Sequence, residues 1–248
     1  MKYGWKPDLP DARDHKFKVP RFRGGLPSSV DLRASCPAIY DQGELGSCTA
    51  NAIGAAVQFD LMKQGLIGFV PSRLQIYYCE RVIEHSVAQD AGAEIRDGIK
   101  VVAKTGAAHE DLWPYDVAKF AKKPPKPVYV SAAKTRVSSY ERLTPTLNLM
   151  KACLAAGFPF VFGFSVYESF ESDRVAKTGK MPVPKPSEQL MGGHAVMACG
   201  YSDAKKAMLV RNSWGPDWGL KGCFWMPFAV IANTNMCDDF WTIRMIKQ

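Results

Sequence analysis

The sequence predicts an α+β protein with a helical first half and an antiparallel β second half. Two observations carry this. Apolar and small residues recur at helical spacing through three segments before residue 110, and short runs rich in β-branched and aromatic residues, bounded by glycines, fill the chain after residue 127. Between them lies Lys122–Pro127 (KKPPKP), a charged, proline-rich stretch that reads as a boundary.

Taken in order, residues 1–27 read as an extended arm with prolines and glycines, few apolar residues in period, and a basic stretch His15–Arg23. The compact body is expected from residue 28 to 248, with a helical part over about 28–127 and a β-rich part over about 128–248. Cys36–Leu45 is a turn-rich loop. CTANAIGAAVQFDLMKQG predicts a helix opening at Cys48 and ending at Gly65, because Ala52, Ala55, Ala56, Phe59 and Met62 share its spacing. Pro71–Glu84 and Ala93–Thr105 predict two more. In the second half, Tyr129–Val137 and Phe158–Val166 predict strands with a short helix, Thr144–Ala156, between them. His194–Gly200, Ala207–Arg211 and Gly222–Met226 predict three further strands. Gly179–Gln189, with prolines at 182, 184 and 186, predicts a surface loop.

Composition sets the class. The chain has 248 residues, 47% hydrophobic and 23% charged, with a formal net charge of +8. This is ordinary globular composition and excludes a disordered tail, a collagen-like fibre or a small disulfide scaffold. No apolar segment approaches the ~20 residues of a membrane span, and the first residues hold no apolar signal core. A soluble protein made in the cytoplasm is expected, with export by a route needing no such signal compatible with the text. Phe17 and Phe22 are the only aromatics in the basic stretch, so nucleic-acid binding is not expected. A monomer is expected.

The seven cysteines are an odd number, so they cannot all pair within the chain. No Cys-x-x-Cys pair or zinc-type Cys/His spacing exists, and neither a metal nor an organic cofactor is expected. Cys79, Cys153 and Cys199 sit in apolar surroundings and read as inert core thiols. Cys48 differs: it opens a helix after the turn QGELGS, so backbone N–H groups and the positive end of the helix dipole face its sulfur and favour thiolate. A thiolate nucleophile needs a base, an orienting group and an oxyanion site. His194 in MGGHAVMACGY and Asn212 in LVRNSWGPDWG are candidates for the first two. His15, His85 and His109 read as surface or capping residues.

These three segments in this order resemble the papain-like cysteine peptidases. QGELGSC resembles the family's nucleophile motif, GGHAV its histidine motif and NSWGPDWGLKG its asparagine–tryptophan motif, over about Ser28 to the C-terminus. The resemblance implies a two-domain fold with a helical left domain and an antiparallel β-barrel-like right domain, the active site lying in the cleft between them. It implies peptide hydrolysis through an acyl-thioester. Cys48 would be the nucleophile, His194 its imidazolium partner, and Asn212 the residue orienting the ring. Gln42 would donate to the oxyanion together with the Cys48 N–H, and Trp214 would shield the Asn–His bond. Gly92 and Ala93 would bind substrate backbone, with Gly193 and Trp218 also lining the substrate site. Gly193 before His194 resembles the cathepsin B pattern.

The departures from the family pattern are Leu45 where it has a cysteine, with that cysteine's usual disulfide partner falling near Asp90, and Thr49 where a tryptophan usually follows the nucleophile. The substrate is expected to be a polypeptide. Non-proteolytic acyl transfer on the same residues, such as deamidation or transglutamination, and a catalytically silent binding protein are the alternatives. The arm is too short for the family's helical pro-region. It is expected either to lie over the cleft as a latch or to be a plain extension.

Overall fold

Few of the side chains in the helix that begins at Cys48 can face water, because small and apolar residues occupy nearly its whole circumference, and the molecule is arranged around it. A computed structural model describes residues 3–19, 22–66 and 68–247. Pro20 and Arg21, within the basic stretch of the arm, lie outside the described residues. In chain order the elements are β1 (Trp5–Lys6), β2 (Ser29–Asp31), α1 (Cys48–Lys63), α2 (Arg73–Ile83), β3 (Ala93–Glu94), α3 (Ile95–Lys104) and α4 (Lys126–Ala132). There follow β4 (Arg136–Arg142), α5 (Leu147–Ala155), β5 (Phe160–Tyr167), α6 (Asp173–Thr178), β6 (Leu190–Ser202), β7 (Ala207–Arg211), β8 (Cys223–Pro227), α7 (Phe228–Ile231) and β9 (Cys237–Lys247).

Thirteen of the sixteen residues of α1 are buried. A helix apolar all round belongs inside a protein. Here α2 and α3 cover one side and the strands β6 and β9 the other. α2 starts where Ser72 accepts the Gln75 N–H at 3.2 Å, an N-cap that satisfies one orphan donor. α3 is amphipathic, burying Ile95, Ile99 and Val102.

The β half is one antiparallel sheet in the order β4-β9-β5-β6-β7-β8, with β2 also paired to β6. The expected barrel does not form: the sheet is open, since β4 and β8 end the path and do not pair with each other. Both edges are occupied locally. Along β8, the Trp225 N–H bonds the Gly179 carbonyl at 2.7 Å and the Met181 N–H bonds the Trp225 carbonyl at 3.1 Å. Along β4, the Arg142 N–H bonds the His15 carbonyl at 2.7 Å and the Phe17 N–H bonds the Arg142 carbonyl at 2.9 Å. Short segments thus take the edge hydrogen bonds that closure would have used.

The segment Tyr129–Val137 is not the predicted strand. Lys126–Ala132 is helical, with Pro125 as N-cap and Pro127 in its first turn, and it buries Val128 and Ala132 one turn apart. The strand starts only at Arg136. β9, α6 and α7 had no counterpart in the sequence reading. β9 closes the molecule, running between β4 and β5 and also packing on α1, where the Gln64 side chain bonds the backbone of Ile246 at 2.8 and 2.9 Å.

Candidate active site

Cys48 is the first residue of α1, and the hydroxyl of its N-cap residue, Ser47, does not cap the helix. The Thr49 N–H, in the first turn, faces the sulfur. Opposite it, β6 supplies His194 and Ala195, and the residue just after β7 is Asn212. Cys48, His194 and Gln42 are fully buried, and Asn212 nearly so.

His194 Nε2 lies 2.8 Å from Asn212 Oδ1, and the Ser213 N–H donates to the same oxygen at 2.9 Å. An amide N–H can only donate, so Oδ1 is the acceptor and the histidine carries its proton on Nε2. The lone pair is then on Nδ1, which has no hydrogen-bond partner among the described residues. Trp214 lies over the imidazole, ring centroids 4.9 Å apart and planes 25° from parallel, and keeps water from the Asn212–His194 bond. Trp218 stands edge-on to Trp214 at 5.0 Å, at the flank of this aromatic wall.

Gln42 is fixed on three sides. Its N–H bonds the Ser213 carbonyl at 2.9 Å, its Oε1 accepts from the Ser213 hydroxyl at 2.6 Å, and its Nε2 donates to the Leu45 carbonyl at 2.9 Å. The loop it belongs to is tied by a carboxylate where the family pattern has a disulfide. The Gly46 N–H donates to both Asp90 oxygens, at 3.0 and 3.1 Å, and the Tyr77 hydroxyl donates to Asp90 Oδ1 at 2.5 Å. Leu45, in the other cysteine's place, is a core residue. Thr49, in place of the tryptophan, donates its hydroxyl to the buried Glu80 at 2.8 Å.

The arm enters this site, which the sequence left open between two readings. β1 pairs in parallel with β3, Trp5 opposite Ala93 and Lys6 opposite Glu94, and the Ala93 N–H bonds the Gly4 carbonyl at 2.7 Å. The Gly4 amide points at the Cys48 sulfur, joined there by the N–H groups of Ala195 and Thr49. Thus an amide hydrogen meets the thiol, and the Gly4 carbonyl is held by Ala93. Only glycine fits: a Cβ at position 4 would lie 1.8 Å from the Gly46 carbonyl oxygen. The Trp5 indole crosses Gly163, where a Cβ would fall 1.9 Å from the ring. At Gly193 a Cβ would lie 2.5 Å from the Trp5 carbonyl oxygen. Tyr3 stands edge-on to His194 at 5.9 Å, its hydroxyl donating to Glu171.

Gly92, Ala93 and Gly193, expected to receive substrate, are therefore in contact with Gly4 or Trp5. The Tyr3–Gly4–Trp5 run, a glycine between two large aromatics, was the sequence signal for this and went unread.

Occlusion changes the electrostatics. Burial pushes the Cys48 thiol up to about 12, although the three amides pull the other way. Burial lowers the His194 imidazole to about 4, the Asn212 bond opposing it. The thiolate expected from the helix terminus is thus not the resting state with the arm in place: the dipole and amides stabilise charge by less than dehydration costs.

The arm is anchored by buried charge. Asp239 Oδ2 accepts from the Trp5 indole at 3.0 Å and from the Asp8 N–H at 2.8 Å, while its Oδ1 accepts from Arg142 at 2.8 Å. Asp8 accepts from the Trp241 indole at 3.0 Å and from the Arg96 N–H at 3.0 Å. The Arg96 side chain pairs with Asp14 at 2.7 Å. Among the described residues no helix is long and apolar enough to cross a membrane.

Residues 26–239 match the family model described as papain family cysteine protease. An uncharacterized peptidase C1-like protein of Acanthamoeba polyphaga mimivirus is 46% identical over 215 residues, covering 83% of this chain and 69% of that one. The solved structure of xylellain, a cysteine protease from Xylella fastidiosa, superposes with a TM-score of 0.91 at 42% identity, covering 98% of this chain and 96% of that one. The procathepsin B S9 of Trypanosoma congolense shares the fold, with a TM-score of 0.78 at 18% identity over 99% of this chain and 86% of that one. With a thiol at a helix start, a histidine held by asparagine, and these likenesses over most of its length, the chain belongs to the papain family of cysteine proteases.

Proposed function

We propose that this cysteine endopeptidase acts through Cys48, His194, Asn212 and Gln42, and that residues 1–27 form an arm that keeps the body, residues 28–248, latent. The observation that carries the reading is the Gly4 amide on the Cys48 sulfur, with the Gly4 carbonyl bonded to Ala93.

With the arm displaced, water and substrate reach the pair, and the dehydration that holds both groups neutral is relieved. The Cys48 proton passes to His194 Nδ1, the nitrogen left without a partner by the Asn212 bond. The thiolate attacks the peptide carbonyl carbon, and the Gln42 amide and the Cys48 N–H stabilise the oxyanion. His194 returns the proton to the leaving amine as the C–N bond breaks. Water, deprotonated by His194, then cleaves the thioester and frees the acid. The polypeptide substrate lies along Gly92 and Ala93 with Gly193 opposite, where the arm lies at rest, and Trp218 borders the leaving-group side.

Two variants test the reading. Cys48→Ala should abolish hydrolysis of fluorogenic peptides and labelling by a thiol-trapping epoxide; retained turnover in a clean preparation would remove Cys48 from the reaction. Gly4→Val cannot keep its place beside the Gly46 carbonyl, and should raise kcat/KM about tenfold or more by increasing the open fraction. Unchanged kinetics for Gly4→Val, with normal folding, would mean the arm does not regulate.

A further inference from the structure

Away from the cleft, three cysteines meet. Cys36 ends the short helical turn Arg33–Ser35, Cys199 lies in β6 and Cys223 begins β8. Although Cys199 reads from sequence as an inert core thiol, its side chain is the common neighbour of Cys36 and Cys223 on one cavity wall. It reaches them because β6 slips register against β7 between Ala198 and Gly200, leaving Cys199 as the extra residue. The Leu32 N–H bonds the Cys199 carbonyl at 2.8 Å and brings the Cys36 segment alongside.

All three cysteines line a surface cavity of about 650 Å³, together with Arg33 and Arg211. The Arg211 guanidinium is fixed there by the Pro37 carbonyl at 2.6 Å and by the Ala38 carbonyl. Cys199 is fully buried and Cys223 nearly so, whereas Cys36 is partly exposed. None of the seven cysteines is paired. Among the described residues no group of three His, Cys, Asp or Glu is arranged to hold a metal ion, this trio included.

We propose that Cys36, Cys199 and Cys223 form a peroxide-reactive thiol–disulfide site, whose first product is a Cys36–Cys199 disulfide. The Cys36 thiolate attacks hydrogen peroxide: an S–O bond forms, the O–O bond breaks, and hydroxide leaves, giving a sulfenic acid. Cys199 then attacks that sulfur. An S–S bond forms, the S–O bond breaks, and the departing hydroxide carries off the Cys199 proton as water. Two thiols are oxidised and one peroxide is reduced to two waters.

The charge distribution supports these roles. The neighbouring Cys199 thiol, with the Arg211 charge, draws the Cys36 thiol below its ordinary value against the opposing effect of burial. The Cys199 thiol beside it, with Arg211 and Arg33, does so for Cys223, while Cys199, between two more acidic thiols, is raised well above. The trio accepts oxidising equivalents while Cys48, a buried thiol under the arm, stays reduced.

The test treats the intact, latched protein with limiting hydrogen peroxide, alkylates the remaining thiols and maps peptides without reductant. The expected result is a Cys36–Cys199 linked peptide pair, lighter by two hydrogens, with Cys48 alkylated and therefore still reduced. Cys36→Ser, a change at a partly exposed position, should slow peroxide consumption about tenfold or more. Oxidation of Cys48 ahead of the trio, a Cys36 carried to sulfinic acid without a disulfide, or an unchanged rate in Cys36→Ser would each overturn the proposal.

Discussion

Two buried polar clusters meet along the arm, and they differ in whether a counter-charge stands against the effect of burial. In the cleft, Cys48 and His194 have no ionic partner among the described residues, and burial drives each toward its neutral form. Where the arm meets the body, Asp8 of the arm and Asp239 share the guanidinium of Arg142, with Arg96 alongside. There burial and the neighbouring Asp8 raise Asp239 to about 7, while the Asp8 N–H and Arg142 pull it back. Burial pushes both clusters toward neutrality, and only the second sets fixed guanidinium charges against it, which ties the arm to the body. On the proposed function the chemistry belongs to the first cluster and the restraint to the second, so the two can be perturbed separately.

The largest effect is expected at the anchor. Arg142→Leu leaves Asp239 and Asp8 without that counter-charge, and should lower unfolding stability by about 3–5 kcal/mol in urea titrations, the scale for breaking a buried pair. Peptidase activity per folded molecule should rise as the arm loosens; a stable, equally latent variant would show the anchor to be dispensable. Next, Gln42→Ala removes one oxyanion donor and should cost roughly 2.7–4 kcal/mol of transition-state stabilisation, read as kcat. Its effect on stability should be smaller than that of Arg142→Leu, and the reverse order would blur the distinction between the clusters.

The smallest effect is a pH slope at Glu80, a buried carboxyl that resembles the cleft groups more than the anchor. Burial raises it from an ordinary value of 4.5 to about 8, against the Thr49 hydrogen bond. The folded protein keeps this proton up to about pH 8, while the unfolded chain releases it near 4.5. Unfolding therefore releases a proton in that window, and this contribution to stability is lost as pH rises through it. Glu80→Gln keeps an oxygen for Thr49 and should flatten the fall of the urea midpoint over this range. An identical slope in the variant would show that Glu80 titrates normally.

Legibility followed sequence distance. α1, whose start was read at Cys48, and β7, read at Ala207–Arg211, are each written in one continuous stretch of matching period. The proposed catalytic residues were readable as candidates because each sits in its own short motif. The anchor had no motif to read: Asp8 and Asp239 are 231 residues apart, and each alone is an ordinary charged residue. β9 was missed because both of its faces are partly or wholly buried, which mixes Asp239 and Thr242 among Phe240, Trp241 and Ile243 and removes the alternation of a half-exposed strand. Lys126–Ala132 was misread because Val128, Tyr129 and Val130 favour strands, while the prolines before them set a helix start.

The sequence by itself determined the halves of the fold, the family, and the candidates for nucleophile, histidine and asparagine, because each depends on residues within a few positions of one another. Only the tertiary structure decided that the sheet stays open, that Asp90 secures the nucleophile loop in place of a disulfide, that Gly4 reaches the thiol, and that Cys199 stands between two other cysteines. These depend on which distant segments share an edge or a buried pocket. That is settled by packing and by the satisfaction of buried polar groups, and no local pattern encodes it.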